Sequence, residues 1–584
     1  MFKMLRFIRP YKLQAFLLIF AIFLQAMGTL RLPTLMSAIV NDGIVTGDQG
    51  FIIFTGLKMV LWAVISALGA LLSSYLSARI GAAIGRDMRE ELFEKILSFS
   101  IAEIDDFSTA SLITRTTNDI STVQNTLVMM LSMALRVPMM AAGAIFEAVM
   151  LAPDMTWILA LSVAVLIFFV VLILSLVLPK FMLYQKLVDK VNLLTRENLT
   201  GLRVIRAFNN EKYEQRKFNK TNVKIMKTDY FISWMLGFEN PLMMLVFNGT
   251  SLLCVWIGIS HLSFDASYLG KMMAFMQYAT QVLLSFFFLA ILFVMIPRAS
   301  VSAKRINEVL KTKAKISWKK KMKSIDSDLP SVEFKNVSFK YDGADENVLS
   351  NISFTAKAGE TTAFIGSTGS GKTTLVNLVA RFYDATDGEI LVNGVNVREY
   401  SKHGLMEKIG FVPQKGFLFS GTIRSNILFG AHDKNDEKCM RKAAKIAQAS
   451  EFIRKLPDGF DTKIVEGGTN VSGGQRQRLS IARAVAKNPE IYIFDDAFSA
   501  LDMKTDKILR EALKEVTKKS VILTVAQRVS TIREADQIVV LDNGKVAGIG
   551  THHELILKCK VYQEICQSQL SDAEFKKEIE DARA

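Results

Sequence analysis

Cysteine is scarce, with four in 584 residues, too few to staple a secreted disulfide scaffold. Cys439, Cys559 and Cys566 fall on the side read below as cytoplasmic, where thiols stay reduced. Cys254 sits inside an apolar run and reads as a small hydrophobe. No spacing of ligating residues suggests a metal cluster of the thiolate or imidazole type. Charge is scarce as well. Only 22% of residues are charged against 50% hydrophobic, which excludes a disordered chain. The charge that exists is lopsided, 71 Lys+Arg to 56 Asp+Glu, for a net +15. Such an excess raises either nucleic acid or an anionic membrane surface as a partner.

What is present is apolar sequence, and it is concentrated in the first 300 residues. Residues 59–78, 156–178, 241–264 and 272–297 carry no Asp, Glu, Lys or Arg, and each is long enough for a bilayer-spanning helix of ~20 residues. Two further runs complete a set of six. Residues 13–30 are uncharged before Arg31 and Pro33, and residues 120–150 are interrupted only by Arg136 and Glu147. The first run has no small-residue cleavage site after it and is too long for a signal peptide.

The connections give an orientation. Residues 41–55, 148–155 and 261–270 contain no Lys or Arg, whereas residues 79–120 contain five and residues 180–240 contain twelve. The positive-inside rule therefore puts both termini and the two long loops in the cytoplasm. Residues 86–97 and 211–220 read as helices leaving the bilayer. The acidic stretch Glu103, Asp105, Asp106 and the basic stretch beginning at Glu211 are expected to form short helices docking on whatever follows.

Composition changes near residue 300. Residues 298–323 hold ten basic residues and one acid, Glu308, a linker placed beside the membrane surface. From Ser331 onward short strands alternate with helical stretches, the pattern of an α/β domain. Within it, Gly366-Ser367-Thr368-Gly369-Ser370-Gly371-Lys372-Thr373-Thr374 follows an apolar strand and opens a helix. This is a phosphate-binding loop: glycines let backbone N–H groups close on phosphates, Lys372 brings a point charge, and the Thr373 hydroxyl reaches Mg²⁺. The run Ile491–Asp496 buries an apolar strand that ends in carboxylates, and Asp495 fits the Mg²⁺ role.

The segment Val471-Ser472-Gly473-Gly474-Gln475 resembles the signature motif of ATP-binding-cassette proteins, with Val in place of the commoner Leu. The resemblance extends to other positions in the same order. Tyr341 matches the aromatic that stacks on adenine, and Gln414 the glutamine that contacts Mg²⁺. Ser499-Ala500-Leu501-Asp502 matches the dimer-contact loop. The whole chain resembles an exporter half-transporter of the bacterial multidrug type. That likeness implies an α-helical transmembrane domain of six helices with long cytoplasmic extensions, fused to an α/β phosphate-loop ATPase domain. It implies ATP and Mg²⁺ as cofactors, and a sandwich of two cassettes in which each ATP lies between the phosphate loop of one chain and the signature of the other. Ser472, Gly473, Gly474 and Gln475 open a helix whose positive end suits a γ-phosphate held by a partner.

Two positions depart from the family. The residue after the Mg²⁺-binding Asp is normally Glu, which orients or deprotonates the attacking water, and here it is Asp496. Asp is one methylene shorter, and a misplacement of about 1 Å can cost roughly 10²-fold. The switch position after the strand VILTVA, normally His, is Gln527, and none of the five histidines lies near it. Gln527 can hydrogen-bond a phosphate but cannot carry a proton charge. Both changes touch hydrolysis and neither touches binding. The resemblance thus points to the degenerate-site subunit of a heterodimer, whose near-consensus signature completes the partner's site.

The expected domains are residues 1–320 (transmembrane, ending in the basic linker), 331–570 (ATP-binding cassette) and 571–584 (a charged tail). The expected location is the cell membrane, with the ATPase domain cytoplasmic. Partners are a second half-transporter, lipid, and an amphipathic small molecule, since Met and Phe crowd the spans. Arg31, Arg136 and Glu147 are expected to face a central cavity, with Arg136 pairing with an acid within the bundle as the alternative. Lipid or peptide cargo and an ATP-gated, channel-like or regulatory subunit stand as alternatives. The basic excess falls mainly in residues 1–12 and 298–323, a topology signal that needs no nucleic acid.

Overall fold

The computed structural model describes residues 2–262, 268–319 and 330–583. It forms two compact units, Met1–Leu97 with Thr109–Thr312, and Ser98–Ser108 with Lys313–Ala584. The segment 98–108, counted from sequence with the transmembrane domain, belongs to the cassette unit.

Six helices long and apolar enough to cross a bilayer build the first unit: Arg6–Ile44, Gln49–Leu97, Thr109–Leu151, Pro153–Thr200, Glu211–Ile259 and Tyr268–Leu289. Every expected span lies in one of these helices or its continuation, apart from residues 263 and 264, which fall outside the described residues. The first two helices approach closely. A β-carbon on Gly28 would sit 2.8 Å from the Trp62 carbonyl, and one on Gly69 would sit 2.8 Å from the Gln25 amide. In lipid, where burial gives helices little reason to associate, such small-residue contacts bring dispersion and hydrogen bonds into range. Thr29 and Ser66 hydroxyls meet at 2.8 Å across that contact. Tyr278, fully buried, donates to the Leu30 carbonyl at 2.6 Å and ties the sixth helix to the first. Ser162 and Thr250 join the fourth and fifth helices at 2.6 Å.

The third helix is segmented, with Ile120–Met133 ending before Arg136–Leu151 begins. Pro138 lacks the N–H that would bond the Ala134 carbonyl, so the helix restarts at Arg136. The intramembrane charges divide. Glu147 faces Arg31 at 3.8 Å and accepts from Thr34 at 3.4 Å. Glu147 is thus engaged by Arg31, and among the described residues Arg136 makes no ion pair with a bundle acid. The basic stretch at 211–220 is also corrected: it is the first turns of the 27-residue helix Glu211–Gly237, and the short helix of that loop is Leu202–Ala207. Residues 298–311 of the expected linker continue the last helix, Tyr268–Lys311, while Lys320, Lys321 and Lys323 lie outside the described residues.

The second unit is an α/β cassette with a six-stranded sheet. Its order is Lys545–Gly550, Gln537–Asp542, Thr361–Gly366, Val521–Val525, Ile491–Asp495, Ile409–Val412. The last five run parallel, and Lys545–Gly550 returns antiparallel from Gln537–Asp542. Parallel strands buried on both faces need apolar runs, and IYIFD is buried throughout. An antiparallel sheet, Leu349–Lys357, Ser331–Phe339, Asp387–Val392, Val395–Asn396, packs over the same core through Phe334, Phe354 and Phe364. A helical subdomain around Met440, Ala443, Leu479 and Ala482 carries the helix Gly473–Lys487.

The charged tail is a folded element. Asp572–Arg583 is a helix, and Phe575 and Glu578 are buried against the cassette. Phe575 and Ile579, four apart, form an apolar stripe in a mostly charged sequence.

Candidate nucleotide site

Parallel order aligns the carboxyl ends of neighbouring strands, and in open α/β sheets ligands bind in that crevice. Thr361–Gly366 delivers the glycine loop, and Ile491–Asp495 delivers Asp495 and Asp496. The turns after Ile409–Val412 and Val521–Val525 deliver Gln414 and Gln527. Residues distant in sequence thus meet because their strands are adjacent.

Lys372 opens the helix Lys372–Val379, with Gly371 at φ 96 as its cap. Its ammonium donates to the carbonyls of Gly366 at 2.9 Å and Ser367 at 2.7 Å, and to the Ser370 hydroxyl at 3.3 Å. The glycines are required at two points. A β-carbon on Gly366 would collide with the Leu541 carbonyl, and Gly369 holds φ 85 with open space on its β-carbon side. Thr373 donates its hydroxyl to Asp495 Oδ1 at 2.9 Å. A hydroxyl and a carboxylate from different elements, side by side, form the oxygen pair that Mg²⁺ prefers. Burial pushes both Asp495 and Asp496 above the usual carboxylate range and pulls Lys372 down. A divalent cation would relieve the first effect and a phosphate the second, so the residues fit both groups.

Asp496 is held from several sides. Gln414 Nε2 donates to its Oδ2 at 3.3 Å, and Gln527 Nε2 donates to the same oxygen at 2.9 Å. Its backbone sits at φ 48, its N–H bonds the Val525 carbonyl at 3.0 Å, and its own carbonyl accepts from Ser499 Oγ at 2.8 Å. Gln414, Asp496 and Gln527 therefore converge on one carboxylate oxygen. Thr374 meets the Tyr341 hydroxyl at 2.9 Å, which brings that ring to the first turn of the loop helix. Phe339 and Tyr383 pack edge-on against it.

The signature residues lie apart. Ser472 caps the helix Gly473–Lys487, its Oγ accepting from the Gln475 N–H while Gln475 Oε1 accepts from the Ser472 N–H at 3.0 Å. Ser472 and Gly473 are exposed, and a β-carbon on Gly474 would meet the Ala500 carbonyl at 3.2 Å, beside the 499–502 loop. Among the described residues no hydrogen bond joins this helix end to the 366–374 loop.

Two features escaped sequence reasoning. Gln569 donates to the Gln527 carbonyl at 2.8 Å and accepts from the Val529 N–H at 2.8 Å, bracketing the switch residue from the C-terminal helices. Glu103, buried, caps Ile101–Phe107 by accepting from the Ser100 N–H at 2.6 Å, and accepts from the Lys315 N–H at 2.9 Å. Lys315 also pairs with Asp106 at 3.0 Å and Asp342 at 2.6 Å, and Tyr383 donates to Asp105 at 3.4 Å. The first-loop helix is thus tied next to the Tyr341 ring. The S-x-x-E capping pattern at 100–103 was the available signal.

A phosphate loop, a Mg²⁺ carboxylate and a capped signature helix on one cassette, in a chain that also carries six membrane-length helices, define an ATP-binding membrane protein. Comparison identifies it further. Residues 15–286 match the ABC transporter transmembrane region, and residues 349–499 match the ABC transporter cassette. An uncharacterized ABC transporter ATP-binding protein of Mycobacterium tuberculosis is 39% identical over 96% of this chain and 97% of its own. The uncharacterized ABC transporter ATP-binding protein YfiB of Bacillus subtilis is 36% identical over 97% and 98%. The chain belongs to the ABC transporter family. Its fold is that of a bacterial Atm1-family ABC exporter solved with ATP bound, with a TM-score of 0.78, 24% identity, and coverage of 97% of this chain and 99% of that one.

Proposed function

We propose that this chain is one half of a heterodimeric ATP-driven exporter of amphipathic compounds, and that its own nucleotide site binds ATP but turns it over slowly. The observation that carries this reading is the shared hydrogen bonding of Asp496 Oδ2 by Gln414 and Gln527. A water-activating base needs a free lone pair aimed at the water. Here a shortened carboxylate spends one oxygen on two amides, and neither amide can become a cation to stabilise charge on a leaving phosphate. Lys372, Thr373 and Asp495 keep the groups that bind. Bound ATP would supply the phosphoanhydride and Mg²⁺ would neutralise charge on its phosphates, with the hydrolysis that resets the cycle falling mainly at the partner's site. This chain's residues would hold the nucleotide, and Ser472 with the Gly473 and Gly474 amides would complete the partner's site. The positive-inside pattern supports a cytoplasmic cassette.

ATPase kinetics on the assembled pair test the reading. Asp496→Asn should leave turnover within about twofold, whereas Glu→Gln at the partner's equivalent position should lower it by roughly 10²-fold or more. A larger loss from Asp496→Asn would overturn the asymmetric assignment.

A further inference from the structure

Arg136 is the feature the nucleotide chemistry leaves unused. It lies in the third membrane helix, between an uncharged run and Pro138, on a cavity of about 200 Å³ formed with the first and sixth helices. Among the described residues it makes no hydrogen bond or ion pair. Glu147, the acid of its own segment Arg136–Leu151, is engaged by Arg31. An arginine in hydrocarbon without a counter-charge is costly, and such residues face bundle interiors or cavities and mark substrate or ion pathways.

The surroundings are built for something with a polar end and an apolar body. Gln25 and Ser285 line it together with Arg136, and Met140 and Phe288 supply apolar wall. Gln281 carries a buried side-chain oxygen with no partner. That cavity shares Thr29, Gln281 and Leu284 with an adjoining groove of about 560 Å³, where Met273 and Met276 continue the apolar lining. Among the described residues, no Asp or Glu lines either space.

We propose that Arg136 is the anchor of a binding site for amphipathic anions, the acidic head meeting the guanidinium and the apolar body lying along the methionine groove. The guanidinium offers a planar fork that matches a carboxylate or phosphate in two bonds, and Gln281 Oε1 accepts from a hydroxyl or amide on the same ligand. This rests on the exporter reading and narrows its cargo class from amphipathic to acidic amphipathic. An anionic lipid headgroup shares that chemistry.

The experiment uses the assembled pair in nanodiscs of zwitterionic lipid, with pyrenebutyrate as the probe against its uncharged methyl ester, read by pyrene fluorescence. The carboxylate should bind about tenfold tighter than the ester. Arg136→Ala should erase that ratio without changing ester binding, and Arg136→Lys should keep most of it. ATP binding and the melting temperature of each variant serve as folding controls. Equal binding of acid and ester, or an unchanged ratio in Arg136→Ala, would overturn the proposal. Repeating the titration with phosphatidylglycerol in the disc separates the sources, because a resident lipid would compete the probe away and a cargo site would not. If the Arg136-dependent ratio stands while the pair moves no probe across a vesicle membrane, the exporter reading fails and the site does not.

Discussion

Gln527 and Asp496 are joined by a 2.9 Å hydrogen bond from the switch amide to Oδ2, the oxygen that Gln414 also approaches. The two departures from the family pattern are therefore one structural unit, since the longer carboxylate and the protonatable ring would have to return together. Asp496→Glu alone should add little, because Gln527 still captures the carboxylate. Asp496→Glu with Gln527→His should raise phosphate release at this site by roughly 10²-fold. Single-turnover release from a pair whose partner site has been disabled reads that site alone. Equal gains from the single and double variants would refute the coupling.

Gln569 holds the same switch from behind. It spans the Gln527 carbonyl and the Val529 N–H, each at 2.8 Å, so it fixes the backbone on both sides of one side chain. Gln569→Ala removes two bonds worth about 1 kcal/mol each. Release of a fluorescent ATP analogue from this site should then quicken by roughly tenfold. Gln569→Glu keeps the acceptor for Val529 and loses the donor to Gln527, and should fall between the two. Release rates indistinguishable from the parent in both variants would remove Gln569 from the switch.

The glycine loop, Asp495 and the signature were legible because each is a local motif whose chemistry and spacing sit on one strand–turn–helix. The six spans were legible because hydrocarbon thickness translates directly into run length. Gln569 was not, since its partner lies 42 residues away and a glutamine in a polar helix has no distinguishing pattern. The tail at 571–584 reads from sequence only as charged, yet Phe575 and Ile579 suffice to bury one face. Residues 98–108 join the cassette unit because Glu103, Asp105 and Asp106 find Lys315 and Tyr383 there, a pairing no composition window contains. Arg136 is legible as an intramembrane charge, but that it pairs with none of the described residues depends on Glu147 facing Arg31.

Glu103 tests whether the first-loop helix must stay docked. Its carboxylate closes the capping box with Ser100 and takes the Lys315 N–H. Glu103→Ala leaves those donors unpaired in a buried place, a cost of about 1–3 kcal/mol. Hydrogen exchange at 101–107 should rise, and ATP-dependent transport should fall more than ATPase activity does. Glu103→Gln keeps an acceptor oxygen and should recover most of both. Unchanged exchange in Glu103→Ala would show that Tyr383 and Lys315 hold the helix without it.

His552 gives the clasp of the C-terminal helix a pH dependence of defined sign. Its ring is buried, with Nδ1 2.7 Å from the Tyr562 hydroxyl and Nε2 3.2 Å from Glu578, which itself pairs with Arg533 at 2.7 Å. Burial is the largest influence and lowers the imidazole below its ordinary 6.5, Glu578 pulls the other way, and Arg533 and His553 lower it further. The fold therefore keeps the ring neutral. Above 6.5 both folded and unfolded chains hold it neutral and stability is flat in this group. As pH falls below 6.5 the unfolded chain takes up a proton that the folded chain resists, and stability drops until the lowered folded value is reached. His552→Gln can still bond Tyr562 and Glu578 but cannot titrate. The melting-temperature difference between parent and His552→Gln should thus be constant from pH 8 to about 6.5 and should shift against the parent on further acidification. A shift in the parent's favour would mean that the Glu578 charge outweighs burial, with the ring protonated in the folded cassette.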